Sequence, residues 1–280
     1  MADHTSAKSL KSFLKSYCPV VVSAYRRLSA RRVPPDPENL WHRLLNRLAT
    51  RRNDMFFVQV GAMDGISFDP LHEHIIRHNW RGLLVEPLSD LFAELKQTYD
   101  GMDRLLFENV AVADDRGQRD MYRICKEAIH LGKVPYWAKG VSTFTEPRNM
   151  LGPNSFHKEE LELMRPYIIT ETVRCETLAA LFSKHQIRSI DIFVTDVEGY
   201  DYEVLRQLDF TTYRPSLIRI EWANLSESHK RMTLDLLGRH GYRTRILKLD
   251  LVAWKRHDQP APNWKQAILT KLQGQKERLN

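Results

Sequence analysis

The stretch MFFVQVGAMDG, residues 55–65, constrains the fold more than any other part of the sequence. A mostly apolar, uncharged run, residues 55–60, is followed at once by Gly61, Asp64 and Gly65. Such a run predicts a strand buried on both faces, as in a parallel sheet. Glycines let the backbone turn sharply and approach a ligand. Asp64 places a carboxylate at the carboxyl end of the strand, where open α/β sheets bind ligands. The alternative is that this stretch is an ordinary strand-to-helix turn that binds no ligand.

Strands and helices alternate along the rest of the chain. Repeated βα units predict an α/β fold with a doubly wound, mostly parallel, seven-stranded sheet. Ser89 and Thr177 are candidate helix N-caps. Residues 126–167 contain many glycines and prolines and predict an irregular substrate or lid insert. The predicted strands are 55–60, 82–85, 105–113, 118–125, 168–174, 190–195 and 217–222, with a closing hairpin of 243–247 and 251–255; the predicted helices are 69–78, 90–99, 178–185, 202–208 and 226–240.

The net charge of +7 comes from the amino-terminal part of the chain. Residues 1–53 hold eleven Lys and Arg against three acidic residues, whereas residues 54–280 are balanced. We therefore predict a basic helical extension (1–53), one catalytic domain (54–257) and a tail (258–280). The balanced body indicates no nucleic-acid partner.

The extension contains a predicted amphipathic stretch, residues 8–30, and a second predicted helix, residues 38–50. Lysines and arginines between residues 8 and 32 are typical of a helix that lies on an anionic membrane surface. Packing on the body or on a second subunit of a homo-oligomer is the alternative.

The cysteine and hydropathy patterns favour a cytoplasmic protein, peripheral at the inner membrane. The three cysteines are widely spaced and give no disulfide framework. No stretch has the length of a signal-peptide core or a membrane span.

Acidic or amide residues follow four predicted strands. Glu86 follows the second strand, Asn109 the third, and Asp196 with Glu198 a later one. An acidic residue at the position of Glu86 is placed to accept hydrogen bonds from ribose hydroxyls. The first turn is not GxGxxG, and a carboxylate there would repel a pyrophosphate. It suits a cationic ligand such as the sulfonium of S-adenosylmethionine (SAM).

The segments VQVGAMDGISFDP, GLLVEP, ENVAV, IDIFVTDVEGYDYEVL and LIRIEW resemble, in this order, the FkbM-type family of SAM-dependent methyltransferases. The resemblance covers residues 55–255 and implies the class I methyltransferase fold, of which the closing hairpin is also typical. It implies methyl transfer to a hydroxyl of a saccharide, glycoconjugate or secondary metabolite. It also implies the cofactor-binding residues: Gly61, Asp64 and Gly65 at the methionine end, Glu86 at the ribose, Asn109 and Val110 near the adenine, and Asp196 beside the transferred methyl group.

Methyl transfer from a sulfonium requires an aligned acceptor that loses its hydroxyl proton. Candidate bases are Asp196, Glu198 and His157. Instead of acting as a base, Asp196 could bind the amino group of SAM. His157 could instead be an ordinary surface residue. Candidates for acceptor binding are Ser142, Thr143 and Glu221.

Metal activation is a second way to prepare the hydroxyl. Asp196, Glu198 and Glu221 are hard oxygen ligands of the kind that Mg²⁺ prefers. The histidines at 72, 74 and 78 lack a clear third ligand, and we do not predict a zinc site.

Two other functions stay open from the residues alone. An NAD-dependent sugar-modifying enzyme would share the fold layers and the ribose acid, but the sequence has no Tyr-x-x-x-Lys pair on a suitable helix. A non-catalytic SAM-binding scaffold would keep the acidic strand ends without transferring a methyl group.

Overall fold

The computed structural model describes residues 40–52, 54–144 and 162–255. Residues 8–30, His157 and the tail lie outside the described residues. Among the helices of the described residues, none combines the length and the apolar character that crossing a bilayer requires.

The main sheet has seven strands in the order β10-β11-β9-β8-β1-β2-β3. Strands β3, β2, β1, β8 and β9 pair in parallel, and β11 is antiparallel to both β9 and β10. The predicted α/β class and mostly parallel seven-stranded sheet are therefore confirmed. The strands are β1 (Phe56–Val60), β2 (Arg81–Val85), β3 (Leu105–Glu108), β8 (Ile192–Thr195), β9 (Leu217–Glu221), β10 (Tyr242–Leu247) and β11 (Asp250–Lys255).

Helices cover both faces of this sheet because the central strands are apolar on both faces. All four residues of β8 are buried, as are the last four of β1 and of β2. Each face has its own large apolar cluster. The helices are α1 (Leu40–Arg51), α2 (His72–His78), α3 (Ser89–Thr98), α4 (Lys126–His130), α5 (Leu178–Lys184), α6 (Asp201–Leu205) and α7 (Glu227–Arg239).

Helix α1 is part of the core although it belongs to the predicted basic extension. Trp41, Leu44 and Leu45 are almost fully buried in one of the two large clusters. The indole Nε1 of Trp41 donates a hydrogen bond of 3.0 Å to the carbonyl of Pro70. The apolar stripe of this helix thus serves as packing surface for the domain.

The prediction of one strand over residues 105–113 is wrong. The chain leaves the main sheet after Glu108, and Ala111–Val112 (β4) enters a second sheet of four strands, in the order β4-β7-β5-β6. The second sheet also contains β5 (Gly117–Ile124), β6 (Ser142–Thr143) and β7 (Ile168–Glu176). The predicted strand 118–125 pairs with β7 and β6, not with the third strand.

The predicted irregular insert contains regular structure. Its described residues form α4, β6 and two 3₁₀ helices, Tyr136–Gly140 and Arg165–Tyr167. These elements pack around their own small apolar cluster. Among its described glycines and prolines, Gly132 and Pro135 lie in the connection between α4 and the first 3₁₀ helix, whereas Gly140 and Pro166 belong to the 3₁₀ helices themselves.

One helix cap is confirmed and one is wrong. The hydroxyl of Thr177 accepts a hydrogen bond from the backbone N–H of Ala180, as an N-cap should. Ser89 is instead the first residue of α3, and its hydroxyl donates to Asn109 Oδ1.

Buried histidines join α1 to α2. His42 Nδ1 lies 3.0 Å from His74 Nε2, and the rings of His74, His78 and Trp80 stack at nearly parallel angles. His74 is fully buried. Burial, with the positive charge of nearby His42, Arg77 and His78, lowers the pKa of His74 to about 3.

We predict that this cluster makes the fold sensitive to acid. His74 stays neutral in the folded protein down to about pH 3, whereas the unfolded chain takes up a proton near pH 6.5. Stability is therefore fully present above pH 6.5 and falls as the pH drops toward 3, by on the order of 4 kcal/mol. His74→Leu should flatten this slope in urea unfolding at pH 4 to 7.

His130→Leu is a matched control, because it removes a histidine that is exposed to solvent. A slope of equal steepness in His74→Leu and in the wild type would contradict the assignment.

Candidate functional site

The turn after β1 lies against the end of β8. The backbone N–H groups of Gly61 and Ala62 both donate to the carbonyl of Val85, each at 3.0 Å. Gly61 has φ +81, and a Cβ built there would lie 1.9 Å from the carbonyl oxygen of Asp196. Only glycine fits this position, so the first predicted glycine brings two strand ends together.

Asp64 is buried and its carboxylate is already satisfied. Its oxygens accept hydrogen bonds from the N–H groups of Ile66 and Ser67 and from the Ser67 hydroxyl. Lys139 Nζ lies 3.0 Å from Asp64 Oδ2. Burial raises the pKa of Asp64, but Lys139 and the hydrogen bonds outweigh burial and hold it below its usual value. The negative charge of Asp64, from which a cationic ligand is predicted, is thus paired with a lysine of the chain itself.

The 3₁₀ helix Tyr136–Gly140 lies over this turn. The hydroxyls of Tyr136 and Ser67 are 3.1 Å apart, and Lys139 also pairs with Glu94 at 2.6 Å. A Cβ on Gly65 would meet the Tyr99 ring at 2.6 Å, which requires a glycine there. The insert therefore closes one side of the crevice at the carboxyl edge of the sheet.

Glu86 lies directly after β2 and faces the same turn. Its carboxylate accepts hydrogen bonds from the N–H of Met63 at 2.8 Å and from the N–H of Leu88 at 2.9 Å. Desolvation by burial raises the pKa of this carboxyl to about 7, against the effect of these hydrogen bonds. Each oxygen keeps a second lone pair that a ribose hydroxyl can use.

Asn109 and Val110 occupy supporting positions. The side-chain amide of Asn109 donates to the carbonyls of Glu86 and Pro87, both at 2.9 Å. Val110 is 1% exposed and packs in the core. Asn109 thus fixes the backbone that directly follows β2.

Three carboxylates meet at the ends of β8 and β9. One oxygen each of Asp196, Glu198 and Glu221 lie within 4.8 Å of one another. The amide of Asn224 donates to Glu198 and to Glu221, both at 2.7 Å. The second oxygen of Glu221 is buried and has no hydrogen-bond partner among the described residues.

This crowding raises the proton affinity of every member of the trio. Asp196 is open to solvent in the crevice, yet the protein around it desolvates its carboxyl and, with Asp250, raises the pKa to about 6. Burial first, and then the neighbouring carboxylates, raise the pKa of Glu198 and Glu221 well above the usual value. Asp196 is therefore mostly ionised at neutral pH, and Glu198 and Glu221 bind a proton more tightly than free carboxyls do.

A second layer supports the trio. Asp201 is fully buried, accepts from the Thr195 hydroxyl at 2.9 Å, and has a pKa that burial raises to about 8. Arg219, in the middle of β9, pairs with Asp250 at 2.7 Å and lies over the Trp41 ring. The sequence analysis missed Arg219 and Asp250, although an arginine inside the apolar strand LIRIE was a visible signal.

The predicted acceptor residues are not all together. Glu221 belongs to the trio, whereas Ser142 and Thr143 form β6 and pair with Arg123 and Tyr122 in the second sheet. Thr143 is buried. His157 lies outside the described residues, and its role stays a prediction.

The histidines of α2 form no metal group. His72 Nδ1 lies 3.3 Å from the Tyr99 hydroxyl, whereas His74 faces His42. Within residues 40–52, 54–144 and 162–255, the trio is the group whose ligand atoms converge as a metal would require.

A family model described as "Methyltransferase FkbM domain" matches residues 59–244, more than half of the chain. The chain belongs to the FkbM methyltransferase family. The recognition from sequence motifs and the class I methyltransferase fold are both confirmed. A nicotinamide-dependent enzyme is accordingly not supported. None of the curated proteins matches the sequence.

The solved structures that match this chain include two described as methyltransferases and one described as a pre-rRNA processing protein. Methyltransferase FkbM from Methylobacillus flagellatus KT shares 12% identity over 72% of this chain and 44% of that chain, with a TM-score of 0.45. A methyltransferase from Geobacter sulfurreducens shares 13% identity, covering 91% of this chain and 97% of that one, at 0.39. The Methanococcus jannaschii fibrillarin pre-rRNA processing protein shares 9%, covering 73% and 67%, at 0.38. This chain spans less than half of the Methylobacillus protein.

We predict that Gly61→Ala destabilises the domain by at least about 3 kcal/mol, because the new methyl overlaps the Asp196 carbonyl. Gly101→Ala is the matched control: Gly101 has a similar φ of +75 but nothing within 4 Å of a Cβ. It should cost only the backbone strain, about 1–2 kcal/mol. Urea unfolding of both variants measures the difference, and equal losses would contradict the proposed contact.

Proposed function

We propose that this chain is a SAM-dependent O-methyltransferase that acts on a hydroxyl of a saccharide, glycoconjugate or secondary metabolite. One observation carries the proposal: Asp196 is exposed to solvent, and its backbone carbonyl lies against the glycine turn of β1. The surrounding protein raises the pKa of its carboxyl to about 6, and such a base is ionised at neutral pH and suited to accept a hydroxyl proton.

The crevice fits the proposed cofactor at two strand ends. The turn at Gly61 presents backbone without a side chain, and Glu86 offers a free lone pair on each carboxylate oxygen. Asp64, Gly65, Asn109 and Val110 shape the walls, since the polar groups of Asp64 and Asn109 are engaged within the chain. The cofactor's cationic end would then face Asp196 in place of Asp64.

SAM, when bound, supplies an electrophilic methyl group. Asp196 then accepts the proton of the acceptor hydroxyl as that oxygen attacks. Burial raises the pKa of Glu198 and Glu221, and in their protonated form they can donate a hydrogen bond to the acceptor and orient it. Asn224 fixes both of these side chains, so the acceptor meets a preorganised surface.

Mg²⁺ bound by the trio is the second candidate for hydroxyl activation. Three convergent carboxylates are its favoured ligands. A bound cation would lower the pKa of all three carboxyls and hold them ionised. Chelation distinguishes this mechanism from the base mechanism.

We place the enzyme in the cytoplasm, peripheral at the inner membrane. Cys125 and Cys175 are free thiols, as a reducing compartment requires.

We expect equilibrium dialysis with labelled SAM to detect binding in the micromolar range. At pH 8, where Glu86 is ionised, Glu86→Gln should weaken binding at least about tenfold, because a charged hydrogen-bond acceptor for the ribose is lost. Glu73→Gln, on the outer part of α2, is the control and should bind normally. No binding at high micromolar SAM, with Glu86→Gln indistinguishable from the wild type, would end the proposal.

We expect methyl transfer from labelled SAM into one or more members of a saccharide panel. The rate should rise through about pH 6 and level off above it, because Asp196 must lose its proton to act as a base. Asp196→Asn should reduce the rate by about 10²–10⁴-fold.

EDTA should leave the wild-type rate unchanged if Asp196 acts alone, and a loss that added Mg²⁺ restores would show metal activation instead. SAM binding without transfer to any saccharide or secondary metabolite would favour the non-catalytic scaffold.

A further inference from the structure

The turn of the β10–β11 hairpin lies at the carboxyl edge, next to the acidic trio. The carbonyl of Leu249 accepts hydrogen bonds from the N–H of Trp222 at 2.8 Å and of Ala223 at 3.0 Å. Trp222 follows Glu221 directly, and Asp250 follows Leu249. The hairpin turn is therefore one wall of the crevice.

The hairpin tip, defined as Arg245, Ile246, Lys248 and Leu249, combines exposed aliphatic and cationic side chains. Ile246 is 51% exposed and Leu249 is 58% exposed. Both basic residues are exposed, and neither of them forms an ion pair with another described residue. Aliphatic side chains beside cations suit a partner surface that is both apolar and anionic.

A further apolar side chain flanks the crevice from the side of β1. Phe68 is 72% exposed and has φ +59, a conformation that is strained for a bulky residue. Its neighbour Asp69 and the hairpin's Asp250 both raise the pKa of Asp196, so both lie near that carboxyl. Exposed apolar groups thus stand on either side of the acidic crevice.

We propose that the hairpin tip docks on an anionic lipid surface, with Ile246 and Leu249 entering the headgroup region. Arg245 and Lys248 would pair with lipid phosphates. Aliphatic side chains at the turn favour a bilayer over a nucleic acid, whose phosphates need only the cations. A second copy of the chain is disfavoured, because charged side chains along the edge strand β10 oppose edge-to-edge pairing.

Docking in this orientation turns the carboxyl edge toward the membrane. It selects an acceptor hydroxyl on a lipid-anchored molecule, and this consequence rests on the proposed function. The docking surface itself does not.

Sedimentation with vesicles tests the surface directly. The full chain is mixed with phosphatidylcholine vesicles that contain about 30 mol% phosphatidylglycerol. We expect binding that weakens with added salt, and Ile246→Ser with Leu249→Ser should weaken it about tenfold. Lys248→Glu should weaken it about fivefold or more at low salt. The basic residues of the amino-terminal segment are the same in every variant compared.

Met232 and Leu234 provide the matched control. They are 45% and 40% exposed on α7, away from the hairpin, so Met232→Ser with Leu234→Ser should bind as the wild type does. Equal binding of the hairpin and control variants would overturn the proposal. So would binding of single-stranded RNA in place of vesicles, or a dimer in sedimentation equilibrium that the hairpin variant abolishes.

SAM dialysis of the same preparations separates the two proposals. Vesicle binding without SAM binding would leave the docking surface standing and end the proposed function. SAM binding without vesicle binding would do the reverse.

Discussion

The close contact between Gly61 and the carbonyl of Asp196 is the constraint on which the site depends. A backbone atom of β8 occupies the space that a side chain at residue 61 would need. Because β1 and β8 also pair in parallel, this contact fixes the turn of β1 against the acidic end of β8. The crevice exists where two backbones meet without side chains, and Glu86, Asp196 and Glu221 are arranged around that point.

The partner of Asp64 could not be predicted from the local sequence. The position of Asp64 at a strand end predicted a cationic ligand, whereas in the structure Lys139, 75 residues later in the chain, pairs with its carboxylate. Nothing in the sequence near either residue indicates the pair. The acidic trio was predictable, since Asp196, Glu198 and Glu221 follow adjacent parallel strands whose ends must converge. Its proton affinity was not, because it depends on burial and on Asp250, which a hairpin delivers.

In the fold, too, some features could be predicted from the sequence and others could not. The parallel strands were predictable because apolar runs of five or six residues are long enough to cross a buried sheet. The second sheet was not, because residues 105–113 read as one uninterrupted strand, and the break at Asn109 is made by side-chain bonds to Glu86 and Pro87. Ser89 and Thr177 carry similar capping signals, yet only Thr177 caps, since Ser89 contacts Asn109 instead.

The antiparallel closing strand links the surface of the domain to its chemistry. A strand that ran parallel to β9 would place Asp250 at the opposite edge of the sheet. Because β11 runs antiparallel, its first residue lies opposite Glu221 at the carboxyl edge and pairs with Arg219. Trp41 of α1 then packs against that arginine. The exposed Leu249 precedes Asp250, whose carboxylate pairs with Arg219 and acts on the pKa of Asp196, so a group that held the hairpin tip would also hold this charge in place.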